Sequence, residues 1–293
     1  MRNSIKAFMA LAAVMTFSSI AFSQNPNDPN WPMCPQCRSQ QDKAAEREKT
    51  ANLPFDAQDL SGMWGDNQNR IQLDTSNMPA MTPLGEVAYA ATETEYSPDG
   101  TPVSNWKDPM LRCDPLGWPR YFTYNYGFEL LQMPDRTLQF FEMWHTWRTI
   151  WTDGRPLPEA PDPRFLGYSV GRWEGDTFVI ESYGFDERTW LSEDRRERTH
   201  GFPHSEELRT VERYTRVAHN NLEVSLTITD PEMYEAPWET TGEFLLNPGT
   251  ELWEDFCVPT EAEWFNREVL RPATNAPPLG MKTSSLHTSE VDS

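Results

Sequence analysis

Four pairs of strand-like segments, each joined by a short turn, occupy the chain between residues 128 and 256. The clearest segment is 222–229, in which apolar and polar residues alternate as they do in a strand with one buried face. Turns rich in Gly, Asn, Asp and Pro separate the two members of each pair, which is typical of antiparallel hairpins. The predicted pairs are 128–133 with 137–150, 168–173 with 177–183, 208–217 with 222–229, and 242–246 with 251–256.

Successive hairpins with few helices predict an all-β fold, namely an antiparallel, up-and-down, lipocalin-like sheet that curls into an open or closed barrel. A barrel of this kind carries a small-molecule ligand in its mouth or interior. A first strand is expected at residues 60–64. Short helices are expected at residues 41–50, at residues 84–91 and, as the one C-terminal helix, at residues 260–270.

The amino terminus has the composition of a secretory signal peptide at residues 1–23. Arg2 and Lys6 form a basic start, an apolar stretch follows, and Ala21-Phe22-Ser23 fits the small-x-small cleavage rule. The protein is therefore expected in the periplasm or secreted. The expected mature regions are an exposed arm at 24–56, a barrel-like domain at 57–272 and a disordered tail at 273–293.

The charge of the chain argues against two classes of partner. Its 45 acidic and 25 basic side chains give a formal net charge of −20. Such a surface repels the phosphates of nucleic acids and of anionic membranes, so neither nucleic acid nor membrane is an expected partner. The simplest interpretation of the charge is that it keeps an exported protein in solution.

The chain contains an even number of cysteines: Cys34, Cys37, Cys113 and Cys257. In an oxidising compartment they are expected to form two disulfides, Cys34 with Cys37 and Cys113 with Cys257. Arg38 stands where a haem-attachment motif needs His, and no second closely spaced cysteine pair is present for a zinc site. No metal or other cofactor is therefore predicted.

The stretch 140–155 sets ionisable side chains among tryptophans, a composition suited to holding a polar-aromatic or sugar-like ligand. If residues 140–151 form one strand, alternation places the odd-numbered side chains on one face, which is the more apolar and the expected interior. His145 would then project into a cavity lined by aromatic rings. The residues of the predicted ligand-binding set are Trp144, Trp147, Arg148, Trp151, Asp153, Arg155 and Tyr124, with Tyr126 as a further wall residue.

His145 and Glu142 are the predicted catalytic pair. An imidazole titrates near neutral pH and can act as a general acid or base. Glu142 points to the opposite face of a regular strand, so it can orient His145 only if a bulge intervenes. Arg148 or Arg155 would clamp an anion, although Arg148 could equally pair with Glu142. A core histidine and core-filling tryptophans are the open alternatives.

The region between Cys113 and Cys257 resembles a large family of exported, mostly uncharacterised, β-rich bacterial proteins. The resemblance is carried by Gly117-Trp118-Pro119-Arg120, Glu142-x-x-His145-x-x-Arg148, Asp153-Gly154-Arg155, Trp173-Glu174-Gly175-Asp176-Thr177 and Ser205-Glu206-Glu207-Leu208. It implies a secreted β-rich domain that acts in the catabolism of complex organic matter. It also implies that Glu142, His145, Arg148, Asp153 and Arg155 act together, without assigning their roles.

Three functions fit these patterns. The first is a cofactor-independent enzyme, a lyase, isomerase or hydrolase, which uses acid/base chemistry on a cyclic polar or aromatic small molecule. The second is a lipocalin-like protein that binds the same kind of ligand without turnover. The third is a structural protein whose barrel is filled by its own side chains. The sequence lacks the G-x-S-x-G, H-E-x-x-H and phosphate-loop motifs, which disfavours serine hydrolases, zinc proteases and nucleotide chemistry.

Overall fold

The computed structural model of the protein describes residues 40–69, 71–93, 95–96, 102–104, 107–194, 200–260 and 264. The predicted signal peptide, the Cys34–Cys37 pair and the predicted tail lie outside these residues. So does most of the predicted helix at 260–270.

Among the described residues, nine strands form a closed barrel. In chain order the elements are α1 (Gln40–Thr50), β1 (Gly62–Asn69), α2 (Pro83–Ala91), β2 (Glu95–Tyr96), β3 (Pro102–Ser104), β4 (Phe128–Gln132), β5 (Arg136–Phe141), β6 (Thr146–Trp151), β7 (Tyr168–Glu174), β8 (Thr177–Tyr183), β9 (Trp190–Glu193), β10 (Gly201–Pro203), β11 (Arg209–Ala218), β12 (Asn221–Thr229) and β13 (Trp238–Leu246). The barrel order is β1-β13-β12-β11-β8-β7-β6-β5-β4. The predicted all-β barrel is confirmed.

Strand pairing around the barrel is antiparallel except at one junction. There, β6 and β7 run parallel, with Ile150 opposite Ser169 and Trp151 opposite Val170. Parallel neighbours need a connection that returns the chain to the starting end of the first strand, and residues 152–167 make this return. The purely antiparallel pairing expected from the hairpin pattern is therefore wrong at this point.

Two of the predicted hairpins differ from those observed. The predicted strand 137–150 is in fact β5 and β6, which pair with each other through Phe141 and Thr146 across a tight turn at 142–145. The last predicted hairpin is wrong, because residues 251–256 form no strand. The edge of β13 pairs instead with β1, where Trp64 lies opposite Leu246, and this pairing closes the barrel.

The barrel interior is filled by the protein's own aromatic side chains. Residues 116–123 run into the barrel, and Phe122 is buried there. Its ring centroid lies 5.1 Å from that of Phe128 on β4 and 5.2 Å from that of Phe244 on β13. It also lies 6.2 Å from Tyr214 on β11. Because these partners stand on separate strands, Phe122 packs the interior at this level, where a ligand had been expected.

A disulfide joins Cys113, at the start of this inner segment, to Cys257, beyond the last barrel strand. This pairing confirms the prediction. Disulfides persist in oxidising compartments, so the bond indicates a location outside the cytoplasm. The helix α1 lies within the predicted arm but is tied to the barrel, since the Arg47 carbonyl accepts a hydrogen bond from Asn220 Nδ2 at 2.7 Å. In the described part of the chain, no helix combines the length and hydropathy needed to cross a bilayer.

Candidate functional site

A strained turn at residues 142–145 joins β5 to β6 at the rim of the barrel. Trp144 and His145 both adopt left-handed backbone conformations, with φ of 59° and 51°. For residues other than glycine this conformation costs about 1–3 kcal/mol each, and it persists where the surroundings enforce it. Here the Trp144 N–H donates to Asp255 Oδ2 at 3.3 Å, and the His145 N–H donates to the Glu142 carbonyl at 3.3 Å. Two consecutive strained residues of this kind mark the turn as a candidate site.

Glu142 begins the turn and is half-buried. Burial raises the pKa of its carboxyl group above the ordinary value, and the nearby charge of Asp255 adds to the rise. Two contacts oppose it: a hydrogen bond at 3.0 Å from the Gly127 N–H to Oε2, and the charge of Lys43. The net effect is a raised pKa, which is the direction of shift that suits a general acid.

His145 ends the turn, and its ring is exposed. Its Nδ1 lies 3.2 Å from the carbonyl oxygen of Trp253. Because a carbonyl can only accept, Nδ1 carries the hydrogen, and in the neutral ring the lone pair is at Nε2. Among the described residues Nε2 has no hydrogen-bond partner. The ring also lies 5.3 Å from that of Phe256, a second contact that helps to hold it in place.

The segment 251–258 completes the site, and sequence reasoning missed its contribution. It supplies Asp255, together with Trp253 and Phe256, whose side chains are 51% and 57% exposed. Tyr126 lies close to both carboxylates, since Asp255 and Glu142 add to the effect of burial in raising the pKa of its phenol. The expected Cys113–Cys257 disulfide was the signal that could have located this segment. We refer to Tyr126, Glu142, His145, Trp253, Asp255 and Phe256 as the rim site.

Arg148 lies inside the barrel rather than at the rim. Its Nη1 donates to Glu212 Oε1 at 2.8 Å, and its Nε donates to Gln139 Oε1 at 2.8 Å. The indole of Trp118 covers the guanidinium at 3.6 Å. Burial, the largest single effect, lowers the pKa of Arg148, but the charges and hydrogen bonds of Glu212 and Tyr214 together outweigh it, so the pKa is raised. The predicted ligand contact and the alternative pairing with Glu142 are both wrong, because Arg148 is fully engaged with Glu212.

Asp153 and Arg155 lie beyond the other end of β6 and pair with each other, with Arg155 Nη2 2.6 Å from Asp153 Oδ2. The two ends of β6 are five residues apart, which corresponds to about 17 Å along a strand. The Arg155 guanidinium also stacks on the Trp151 ring on the outer wall, with its Cζ 3.6 Å from the ring centroid. The five ionisable residues of the 140–155 stretch are therefore divided among the rim, the interior and the far end of the strand.

The tryptophans of this stretch do not line an interior cavity. The chain reverses at 142–145, so the even-numbered side chains of β6 face inward. Trp147 is consequently 58% exposed on the outer wall, and Trp151 faces outward between Arg136 and Arg155. Trp144 is half-buried against the core. The prediction that Trp147, Trp151 and His145 face the interior is therefore wrong, because the turn reverses which side chains of β6 point inward.

Tyr124 belongs to a buried ionic cluster next to the inner segment. Its hydroxyl accepts a hydrogen bond from Arg120 Nη2 at 2.8 Å, and Arg120 Nη1 donates to Asp108 Oδ1 at 2.7 Å. Burial raises the pKa of the Tyr124 phenol. Asp108 and Tyr124 together raise the pKa of Arg120 against the effect of its own burial. The cluster ties the inner segment in place and engages the Tyr124 hydroxyl through Arg120.

His204 also lies in the fold interior. Its Nε2 is 2.8 Å from Thr189 Oγ1, and its Nδ1 is 3.0 Å from the Ser205 carbonyl. A hydroxyl beside an imidazole is the arrangement of an activated nucleophile, but Thr189 and His204 are both buried. A Cβ on Gly117 would stand 2.2 Å from the Thr189 hydroxyl oxygen, so the pair packs directly against the inner segment. Within the described ranges, no three His, Cys, Asp or Glu side chains converge to hold a metal ion.

Comparison of the chain with protein-family models, with curated proteins and with solved structures gave no match. The geometry of the rim site and the chemistry of its residues therefore carry the functional argument.

Proposed function

We propose that the protein is an exported, cofactor-independent enzyme that carries out acid/base chemistry at the rim site on a cyclic polar or aromatic small molecule. One observation carries this proposal: a carboxyl group whose pKa is raised and an imidazole with an open Nε2 stand on the same strained turn. Resemblance to exported bacterial β-rich proteins is part of the proposal, as is a periplasmic or secreted location.

The two groups suit a proton transfer with separate donor and acceptor. His145 Nε2 accepts a proton from a carbon or hydroxyl of the substrate, while protonated Glu142 donates one to the departing or rearranging oxygen. In an elimination, the C–H electron pair forms the new double bond as the leaving oxygen takes the proton from Glu142. An isomerisation uses the same two groups and returns a proton to a different atom. Trp253, Phe256 and Tyr126 offer exposed rings against which a cyclic substrate packs.

A binding protein without turnover is the second candidate. It is favoured by the exposure of the Trp253 and Phe256 side chains at the rim, since aromatic side chains bind rings whether or not chemistry follows. Such a protein needs the aromatic side chains of the site but not the acid and the base. The two candidates therefore differ in the roles of Glu142 and His145.

Mass spectrometry of a polar metabolite extract, incubated with mature protein, tests for turnover. Wild type is compared with Glu142→Gln, with His145→Ala and with Glu129→Gln, a matched control on the outer face of β4. We expect wild type and Glu129→Gln to consume the same compounds and form the same products. Glu142→Gln and His145→Ala should each react about a hundredfold to ten-thousandfold more slowly.

The pH profile of the same reaction adds a second test. The rate should fall at high pH as Glu142 loses its proton through its raised pKa. Turnover that persists in both rim variants would remove the rim site from the chemistry. If wild type leaves the extract unchanged, and wild type and His145→Ala retain the same compounds, the protein is a binding protein and not an enzyme.

A further inference from the structure

The charges around the rim site are predominantly negative. The segment 251–258 contains three acidic residues and no basic one. Near Glu142, the charge of Asp255 raises the pKa of the carboxyl group and the charge of Lys43 lowers it, so one cation stands among these carboxylates. Both arginines that the sequence suggested as anion clamps are engaged elsewhere, Arg148 with Glu212 and Arg155 with Asp153. An anionic ligand would therefore meet repulsion at this rim, whereas a cation would meet attraction.

The rim site also contains three exposed aromatic side chains, of which Tyr126 lies near the carboxylates of Asp255 and Glu142. Trp253, Phe256 and Tyr126 are 51%, 57% and 36% exposed. The face of an aromatic ring attracts a cation electrostatically, and quaternary ammonium groups are recognised in this way by clusters of aromatic side chains. The whole-chain charge of −20 also raises the concentration of cations near the surface. Carboxylates and exposed aromatic rings at one rim thus favour the same class of ligand.

We propose that the rim site selects an organic cation, a small molecule with a quaternary or protonated nitrogen in or beside its ring. The nitrogen packs against Trp253 and Phe256, and Asp255 balances its charge. This inference rests on the proposed function for the location of the site and names the class of substrate. It reverses the charge preference that Arg148 and Arg155 suggested in the sequence.

Binding to matched probes tests the proposal without requiring turnover. Calorimetric titrations compare phenyltrimethylammonium with the anion benzenesulfonate, and choline with its uncharged carbon isostere dimethylbutanol. We expect each cation to bind at least about tenfold more tightly than its counterpart, and its affinity to fall as salt is added. Phe256→Ala and Asp255→Asn should each weaken cation binding by about threefold to thirtyfold. Phe55→Ala, an exposed aromatic outside the rim site, should not change it.

Equal affinity for choline and dimethylbutanol would overturn the proposal, as would tighter binding of benzenesulfonate or the absence of binding by every probe. An unchanged cation affinity in both Phe256→Ala and Asp255→Asn would also overturn it. The proposed enzyme fails separately. If the protein prefers cations but turns over no compound in the extract, the proposed enzyme is wrong and the cation selectivity stands. If it turns over only neutral or anionic compounds, the cation selectivity is wrong and the enzyme stands.

Discussion

At the scale of single residues, His204 couples the stability of the fold to pH. Burial lowers the pKa of its imidazole below 6.5, against the opposing charges of Asp230 and Asp186. As the pH falls below about 6.5, the unfolded chain takes up a proton at this site before the folded protein does. The contribution of His204 to stability is therefore fully present above the unfolded pKa and is lost as the pH falls towards the folded pKa.

Replacing His204 with glutamine should remove this part of the pH dependence. Urea denaturation of wild type and His204→Gln between about pH 7.5 and pH 5 measures it. We expect the free energy of unfolding of wild type to fall more steeply, by up to about 1.4 kcal/mol per pH unit. Parallel curves for the two proteins would mean that His204 does not titrate differently on folding.

His145 carries backbone strain that a glycine would relieve. A left-handed conformation costs a residue with a Cβ roughly 1–2 kcal/mol, whereas glycine adopts it readily. His145→Gly should therefore be more stable than His145→Ala by about 1 kcal/mol, although both lack the imidazole and should be equally inactive. Urea denaturation compares the two variants, and equal stabilities would show that the turn is not strained at this residue.

At the scale of elements, the 142–145 turn shows what local sequence could not predict. Residues 140–151 contain no Gly, Pro, Asn or Asp, the usual residues of turns, so they favoured a single strand. The turn forms because Phe141 pairs with Thr146 and because Asp255, distant in sequence, binds the Trp144 N–H. Strands β7, β8, β11 and β12 flank turns rich in Gly, Asn and Asp, which need no distant partner, and these strands were predicted within a few residues.

The Cys113–Cys257 disulfide holds the segment 251–258 against this turn. Replacing both cysteines with serine should destabilise the protein by about 2–5 kcal/mol, as is typical of a native disulfide. Hydrogen exchange should also accelerate at the Trp144 amide, whose acceptor is Asp255. Exchange of amides in the middle of β12 under native conditions is the internal control. An unchanged rate at Trp144 would show that the segment keeps its position without the bond.

At the scale of the whole molecule, one ion pair spans the barrel. Arg148 stands on β6 and Glu212 on β11, and β7 and β8 lie between these strands in the wall. Their contact therefore crosses the interior and braces two sides of the barrel. The sequence pattern marked Arg148 as a functional side chain but predicted the wrong face for it. It could not identify Glu212 as its partner, because only the closed barrel brings the two strands opposite each other.

Breaking this pair should be costly, and removing both partners much less so. Arg148→Met alone leaves Glu212 buried without its partner and should destabilise the protein by about 3–5 kcal/mol. The double variant Arg148→Met, Glu212→Leu should recover most of that loss, since buried ion pairs are often replaceable by apolar side chains. Thermal unfolding of the single and double variants gives the coupling. If the double variant loses as much stability as the two single variants together, the two side chains do not act as a pair.

The pairing of β1 with β13 has a consequence for how the molecule is made. These strands are the first and the last of the barrel in sequence, and Trp64 cannot meet Leu246 until nearly the whole domain is present. In a chain delivered amino terminus first, β4 can cover one edge of β1 early, but the other edge stays open until β13 emerges. Open edges invite pairing with other chains. Closure is thus a late step, and β1 requires protection from other chains until that step.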